Sequence, residues 1–89
     1  GHSVAKQSQF VGHVTEIDAE GWATVEVKNR FAVGDTLEII HPKGNQTIVL
    51  QAMKRRGEAA EVAPGNGIQV QIPNMAGKDK ALIARVIKS

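Results

Sequence analysis

The densest charge in this 89-residue chain is the run Lys54-Arg55-Arg56, and it stands where a stretch of apolar alternation has just ended. Lys28 and Arg30 close another alternating stretch, and Lys43 lies between a proline and a glycine. If the ends of these stretches meet, the six cations form a basic rim suited to phosphates, which such side chains position without reading base sequence. The competing reading is a solvated loop, because Glu58 and Glu61 follow the basic run closely. Net charge is only +2, from 11 Lys and Arg against 9 Asp and Glu, so any basic rim is local. Proteins gripping nucleic acid by charge alone carry a denser stripe. Trp22 is the one candidate for stacking on a base; it equally suits the cover of a barrel end.

Other chemistries lack their parts. A zinc site takes three or four ligands. His2, His13 and His41 come from separate segments, with no spacing that would gather them. A Ser-His-Asp centre needs a positioned serine; the serines are Ser3, Ser8 and Ser89, all near the chain ends. The carboxylates Glu16, Asp18, Glu20 and Glu26 flank a turn, where solvated acids are the default. Neither GxxxxGK[ST] nor GxGxxG occurs, so the glycines of Ala63-Pro64-Gly65-Asn66-Gly67 are read as a turn. With no cysteine, the chain offers no disulfide, no thiolate nucleophile and no ligand for a cysteine-held cluster. No catalytic, metal or cofactor residue is assigned.

The elements that would position a rim are strands. Hydrophobic residues make up 42% of the chain but aromatics only 3%, so aliphatics must fill the interior. Phe10 and Phe31 are expected in the core beside them. Ala23, Val25 and Val27 alternate with Trp22, Thr24, Glu26 and Lys28, which is the pattern of a half-buried strand. Val11 and Val14 are three apart and cannot share a face of a regular strand; a bulge near Gly12 would bring them together. Asp18 to Gly21 forms a turn with Gly21 at positive φ. Leu37 and Ile39 point inward from a third strand, and Pro42 to Asn45 is a hairpin tip. Gln46 to Met53 continues as a strand with Ile48, Leu50 and Ala52 on one face. Glu58 to Val62 is compatible with a single helical turn. Ile68, Val70 and Ile72 mark another strand. Lys80 to Ile87 is apolar on both faces, as a central strand is.

The fold expected is therefore all-β: a small closed or partly open, antiparallel-rich barrel of about six strands. Gly1, His2 and Ser3 resemble the remnant of a cleaved expression tag, and residues 4–89 form one domain. No run approaches the ~18 apolar residues of a membrane span. The absence of cysteine suits a reducing compartment, and a cytoplasmic location is expected.

Three stretches carry a family resemblance: VGHVTEID at 11–18, GWATVEVKNRFAVGDTLEIIHPKG at 21–44, and VAPGNG at 62–67 with the strand IQVQIP after it. They resemble the C-terminal β-barrel domain of the U32 peptidase family, in particular bacterial members associated with tRNA hydroxylation at wobble uridine. The shared wording is mostly structural. Val33-Gly34-Asp35 needs a residue tolerant of unusual φ, and Phe31 beside it would plug a barrel end. The resemblance implies a non-catalytic C-terminal accessory domain. Catalysis, and any iron–sulfur cluster, would belong to a larger N-terminal domain of the parent. It also implies two partners, that N-terminal domain and tRNA; on the charge reading above, tRNA would be met through Lys28, Arg30, Lys43, Lys54, Arg55 and Arg56. An alternative is an intramolecular packing or oligomerisation module of a collagenase-like peptidase, with an exposed apolar patch around Trp22.

Overall fold

Alternation with period two decides the architecture, and one glycine corrects it. The computed structural model describes residues 7–87, which hold ten strands and no helix. These are β1 (Gln7–Ile17), β2 (Ala23–Val27), β3 (Phe31–Ala32), β4 (Thr36–Ile40), β5 (Gln46–Val49), β6 (Lys54–Arg55), β7 (Glu58–Ala59), β8 (Val62–Ala63), β9 (Gln69–Ile72) and β10 (Leu82–Ile87). Eight of them form one antiparallel sheet in the order β5-β4-β10-β1-β2-β9-β6-β7, while β3 pairs with β8 separately. The outer strands β5 and β7 do not pair with each other, so the partly open form is the one found. The suspected tag residues, Gly1 to Ser3, lie outside the described residues.

The Val11–Val14 spacing is resolved by a bulge. Phe10 pairs with Ala84 and Gly12 with Ile83, leaving Val11 as the extra residue on β1. Both valines are then buried. The bulge also explains the glycine, because a Cβ at Gly12 would come 2.4 Å from the Glu26 carbonyl oxygen and 3.0 Å from Val25 Cγ1. A second bulge, absent from the sequence reading, leaves Thr15 unpaired opposite β2. Its hydroxyl donates to the Thr24 carbonyl at 3.2 Å.

The interior is aliphatic: Ala23, Val25 and Val27 of β2 face Leu37 and Ile39 of β4, Val70 and Ile72 of β9, and Ile83 of β10. No polar or charged side chain is buried among the described residues. Fully burying each Val, Leu or Ile contributes about 1.5–3 kcal/mol, so a domain this small depends on nearly every strand. The β1–β2 turn is held by Asp18, whose Oδ1 accepts the Glu20 and Trp22 amides at 2.8 and 3.0 Å. Phe31 is fully buried where β3 joins β8, stoppering the end of the sheet from which β2 leaves and β4 starts. Asp35 fixes that turn by accepting the Ala32 amide through Oδ2 at 2.8 Å. The double-sided apolarity of Leu82–Ile87 has its reason, since β10 lies between β4 and β1.

Several expectations need correction. Phe10 is 43% exposed and not in the core. It precedes the buried Val11 on a strand, so it must point the other way. The third strand's return ends at Val49. Met53 is buried and Ala52 exposed, because the chain leaves the ladder once the Leu50 amide donates to the Asp35 carbonyl. Glu58 to Val62 is not a helical turn: β7 returns against β6, and β8 goes to β3. The count of about six becomes ten because four strands are only two residues long. Met75, in the loop between β9 and β10, is buried, with its amide donating to the Gly21 carbonyl at 2.9 Å.

Candidate nucleic-acid interface

Strand direction decides which cations meet. β2 runs antiparallel to both β1 and β9, and β9 runs antiparallel to β6. The end of β2, the start of β9 and the end of β6 therefore share one edge of the sheet. Lys28 and Arg30 follow β2, Arg55 ends β6 and Arg56 follows it, so these four lie toward that edge. The Gly65–Gly67 turn ties them together. The Gly67 amide donates to the Val27 carbonyl at 2.8 Å, and a Cβ on Gly65 would lie 3.4 Å from the Lys28 carbonyl oxygen. That Cβ would make an ordinary contact, so it is the left-handed φ of Gly65 (98°) that favours glycine there.

Lys43 goes elsewhere. β4 is antiparallel to β10 and β10 to β1, so β4 runs opposite to β2. Lys43, on the tip after β4, stands at the other edge, and the expectation of a single six-cation rim is corrected on this point. Lys54 is the second displaced member. It pairs with Gln71, and its Nζ lies 4.3 Å from the centroid of the Trp22 ring. Trp22 is half-buried under that ammonium, so it is neither a bare stacking platform nor the centre of an exposed apolar patch.

Beside Arg55 and Arg56 opens a cavity of about 500 Å³, whose lining includes Thr24, Arg55, Arg56, Gly67, Gln69 and Gln71. It exists because β6 meets β9 at a single pair, Lys54 with Gln71, and then splays away. The hairpin turn that follows is made by Arg56 at φ 55° and Gly57 at φ 81°. A bulky side chain at positive φ is uncommon and costs on the order of 1 kcal/mol, tolerated here at the wall of a cavity. The ion pairs among the described residues are His13–Glu26 at 3.3 Å and Lys28–Glu26 at 3.4 Å. Neither Arg55 nor Arg56 forms an ion pair among the described residues, although Glu58 stands opposite Arg55 on β7. Two histidines are locally engaged: His13 meets Glu26, and His41 Nδ1 accepts the Lys43 amide at 3.1 Å. Among the described residues no three His, Asp or Glu side chains gather as a metal would require. An iron–sulfur cluster finds no thiolate in this chain.

Sequence reasoning missed Thr24, Gln69 and Gln71. Their polar positions on alternating strands were legible; their place beside the basic turn depends on strand order. At this point comparison with known proteins becomes decisive, since residues 6–85 match the peptidase family U32 C-terminal domain. The chain belongs to that family. Among curated proteins it is similar to tRNA hydroxylation protein P of Escherichia coli (strain K12), 45% identical over 74 residues. It is also similar to tRNA hydroxylation protein P of Haemophilus influenzae, 34% identical over 89 aligned positions. These alignments cover 82% and 96% of this chain but only 16% and 19% of the relatives, so the chain spans under a fifth of their length. Among solved structures it resembles the C-terminal domain of a Geobacillus thermoleovorans protein assigned to the U32 peptidases. The TM-score is 0.77 at 25% identity, covering 90% of this chain and 93% of that one. A selenomethionine form of that domain also scores 0.77. Among the described residues no helix is long and apolar enough to cross a membrane.

Proposed function

We propose that this U32 C-terminal domain is a non-catalytic accessory of a longer enzyme and helps seat tRNA by its phosphates. The observation that carries the reading is the pair Arg55 and Arg56, outside any ion pair among the described residues at the wall of an open cavity, with Lys28 and Arg30 toward the same edge. The relatives named for tRNA hydroxylation supply the substrate class, and chemistry is assigned to the parent's remaining sequence. Arg suits this role because its planar guanidinium forms paired hydrogen bonds to phosphate oxygens.

The test is a titration of tRNA against the domain at low and high salt. Micromolar or tighter binding that weakens as salt rises supports the reading, because phosphate contacts release counterions. Binding unchanged by Arg55→Ala and Arg56→Ala together would remove these residues from it.

A second reading is favoured by a different surface. Phe10 and Leu82, 43% and 45% exposed, stand on the outer face of β1 and β10, with Ala84 between them and Ile40 opposite Leu82. Such a patch suits packing against the parent's larger remaining part. Phe10→Ser with Leu82→Ser, compared in the full-length parent and the domain alone, tests this. Loss of stability in the parent beyond the loss in the domain supports it; equal losses count against it.

A further inference from the structure

The geometry points to a specific occupant for the cavity beside Arg55 and Arg56: one unpaired nucleotide of an RNA, held by its phosphate at the arginines and by its base against β9. This inference rests on the RNA reading above and makes that reading specific.

The open edge of β9 is the first reason. The Val27 amide donates to the Ile68 carbonyl at 2.8 Å, so that carbonyl faces β2. Backbone groups alternate sides along a strand, so the N–H and C=O of Gln69, which pairs with Glu26, turn away from β2. On that side β6 has already departed after pairing with Gln71. A donor and an acceptor on a fixed backbone thus look into the cavity.

The second reason is the polar set around them. Thr24 and Gln71 are cross-strand partners, and Gln69 lies two residues along β9. Their hydroxyl and amides, donors and acceptors both, form no side-chain hydrogen bond among the described residues. The edge of an unstacked base presents the same mixture. An anion alone would have no use for it.

The third reason is shape. About 500 Å³ falls within the roughly 300–1,000 Å³ of small-molecule sites, enough for a single nucleotide. A duplex keeps its base edges paired and would meet only the arginines at the mouth.

The experiment is amide-resolved NMR of the domain titrated with a short single-stranded oligoribonucleotide, a blunt RNA duplex of equal length, and inorganic phosphate. The expected result is saturable shifts at Gly67 to Gln71 and Arg55 to Gly57 with the single strand, and shifts near the arginines only with the other two. Gln71→Leu is expected to weaken single-strand binding roughly tenfold, the loss of one good base-edge contact. Thr24→Val, which keeps a β-branched strand residue, should weaken it severalfold with the fold intact. Duplex or phosphate producing the same shifts at Gln69 and Gln71 overturns the nucleotide site and leaves the RNA reading standing. So does single-strand binding that spares these residues. No binding of tRNA or oligonucleotide at low salt overturns the RNA reading itself.

Discussion

Lys54 Nζ stands 4.3 Å from the centroid of the Trp22 ring, across the outer face of β2, β9 and β6. The contact joins the start of β6 to the strand two places away, since Thr24, two residues after Trp22, pairs with Gln71, and Gln71 pairs with Lys54. It therefore helps hold the short β6–β7 hairpin, which has one ladder pair to β9. A cation over an indole at a partly exposed site is worth about 0.5–1 kcal/mol. A double-mutant cycle with Trp22→Leu and Lys54→Met, followed by urea unfolding, should give a coupling energy of that size. A coupling near zero would mean the hairpin is held by its backbone alone.

Gly12 is expected to be intolerant of any side chain. The Cβ of alanine would fall 2.4 Å from the Glu26 carbonyl oxygen, and a backbone atom in mid-sheet cannot swing aside. Overpacking of this kind costs about 1–3 kcal/mol. Gly34→Ala is the control, because nothing lies within 4 Å of its Cβ and only the left-handed φ of 97° is strained. That strain costs roughly 1–2 kcal/mol. Chemical denaturation should rank the two, with Gly12→Ala the more damaging.

Phe31 and Phe10, both read as core from sequence, should separate sharply. Phe31 is wholly buried, so Phe31→Ala should cost about 3–5 kcal/mol, much of what a small domain possesses. Phe10 is 43% exposed, and Phe10→Ala in the isolated domain should cost on the order of 1 kcal/mol. Thermal unfolding of the two variants measures the difference directly; similar losses would contradict the placement of Phe10 outside.

What the sequence disclosed and withheld follows from the range of the forces involved. Ala23, Val25 and Val27 announce β2 because burying one face of a strand imposes period two. The odd spacing of Val11 and Val14 announces the bulge for the same reason. That bulge already excluded Phe10 from the core, as adjacent strand residues face opposite sides, and the inference was there to be drawn. β6, β7 and β8 left no trace because each is two residues long. A turn at Arg56 and Gly57 and partners far along the chain set them, and no periodicity fits in two positions. The basic rim was half legible. Cations at strand ends are visible, but which ends coincide depends on sheet order, and the order β4-β10-β1-β2 carried Lys43 away.

Each cation should therefore leave its own mark on the salt dependence of tRNA binding. The slope of log affinity against log salt changes by roughly 0.7–0.9 for each phosphate contact removed. Arg56→Ala removes a guanidinium outside any ion pair among the described residues at the cavity wall and should lower the slope by about that amount. Lys28→Ala should lower it less, since its Nζ lies 3.4 Å from Glu26 Oε1 and is already partly neutralised. Lys43→Ala should leave slope and affinity unchanged, because the hairpin tip after β4 faces the opposite edge of the sheet. Affinities measured at four or more salt concentrations for the three variants decide the matter. An equal effect from Lys43 would place the RNA across the whole sheet and not at the Arg55–Arg56 edge.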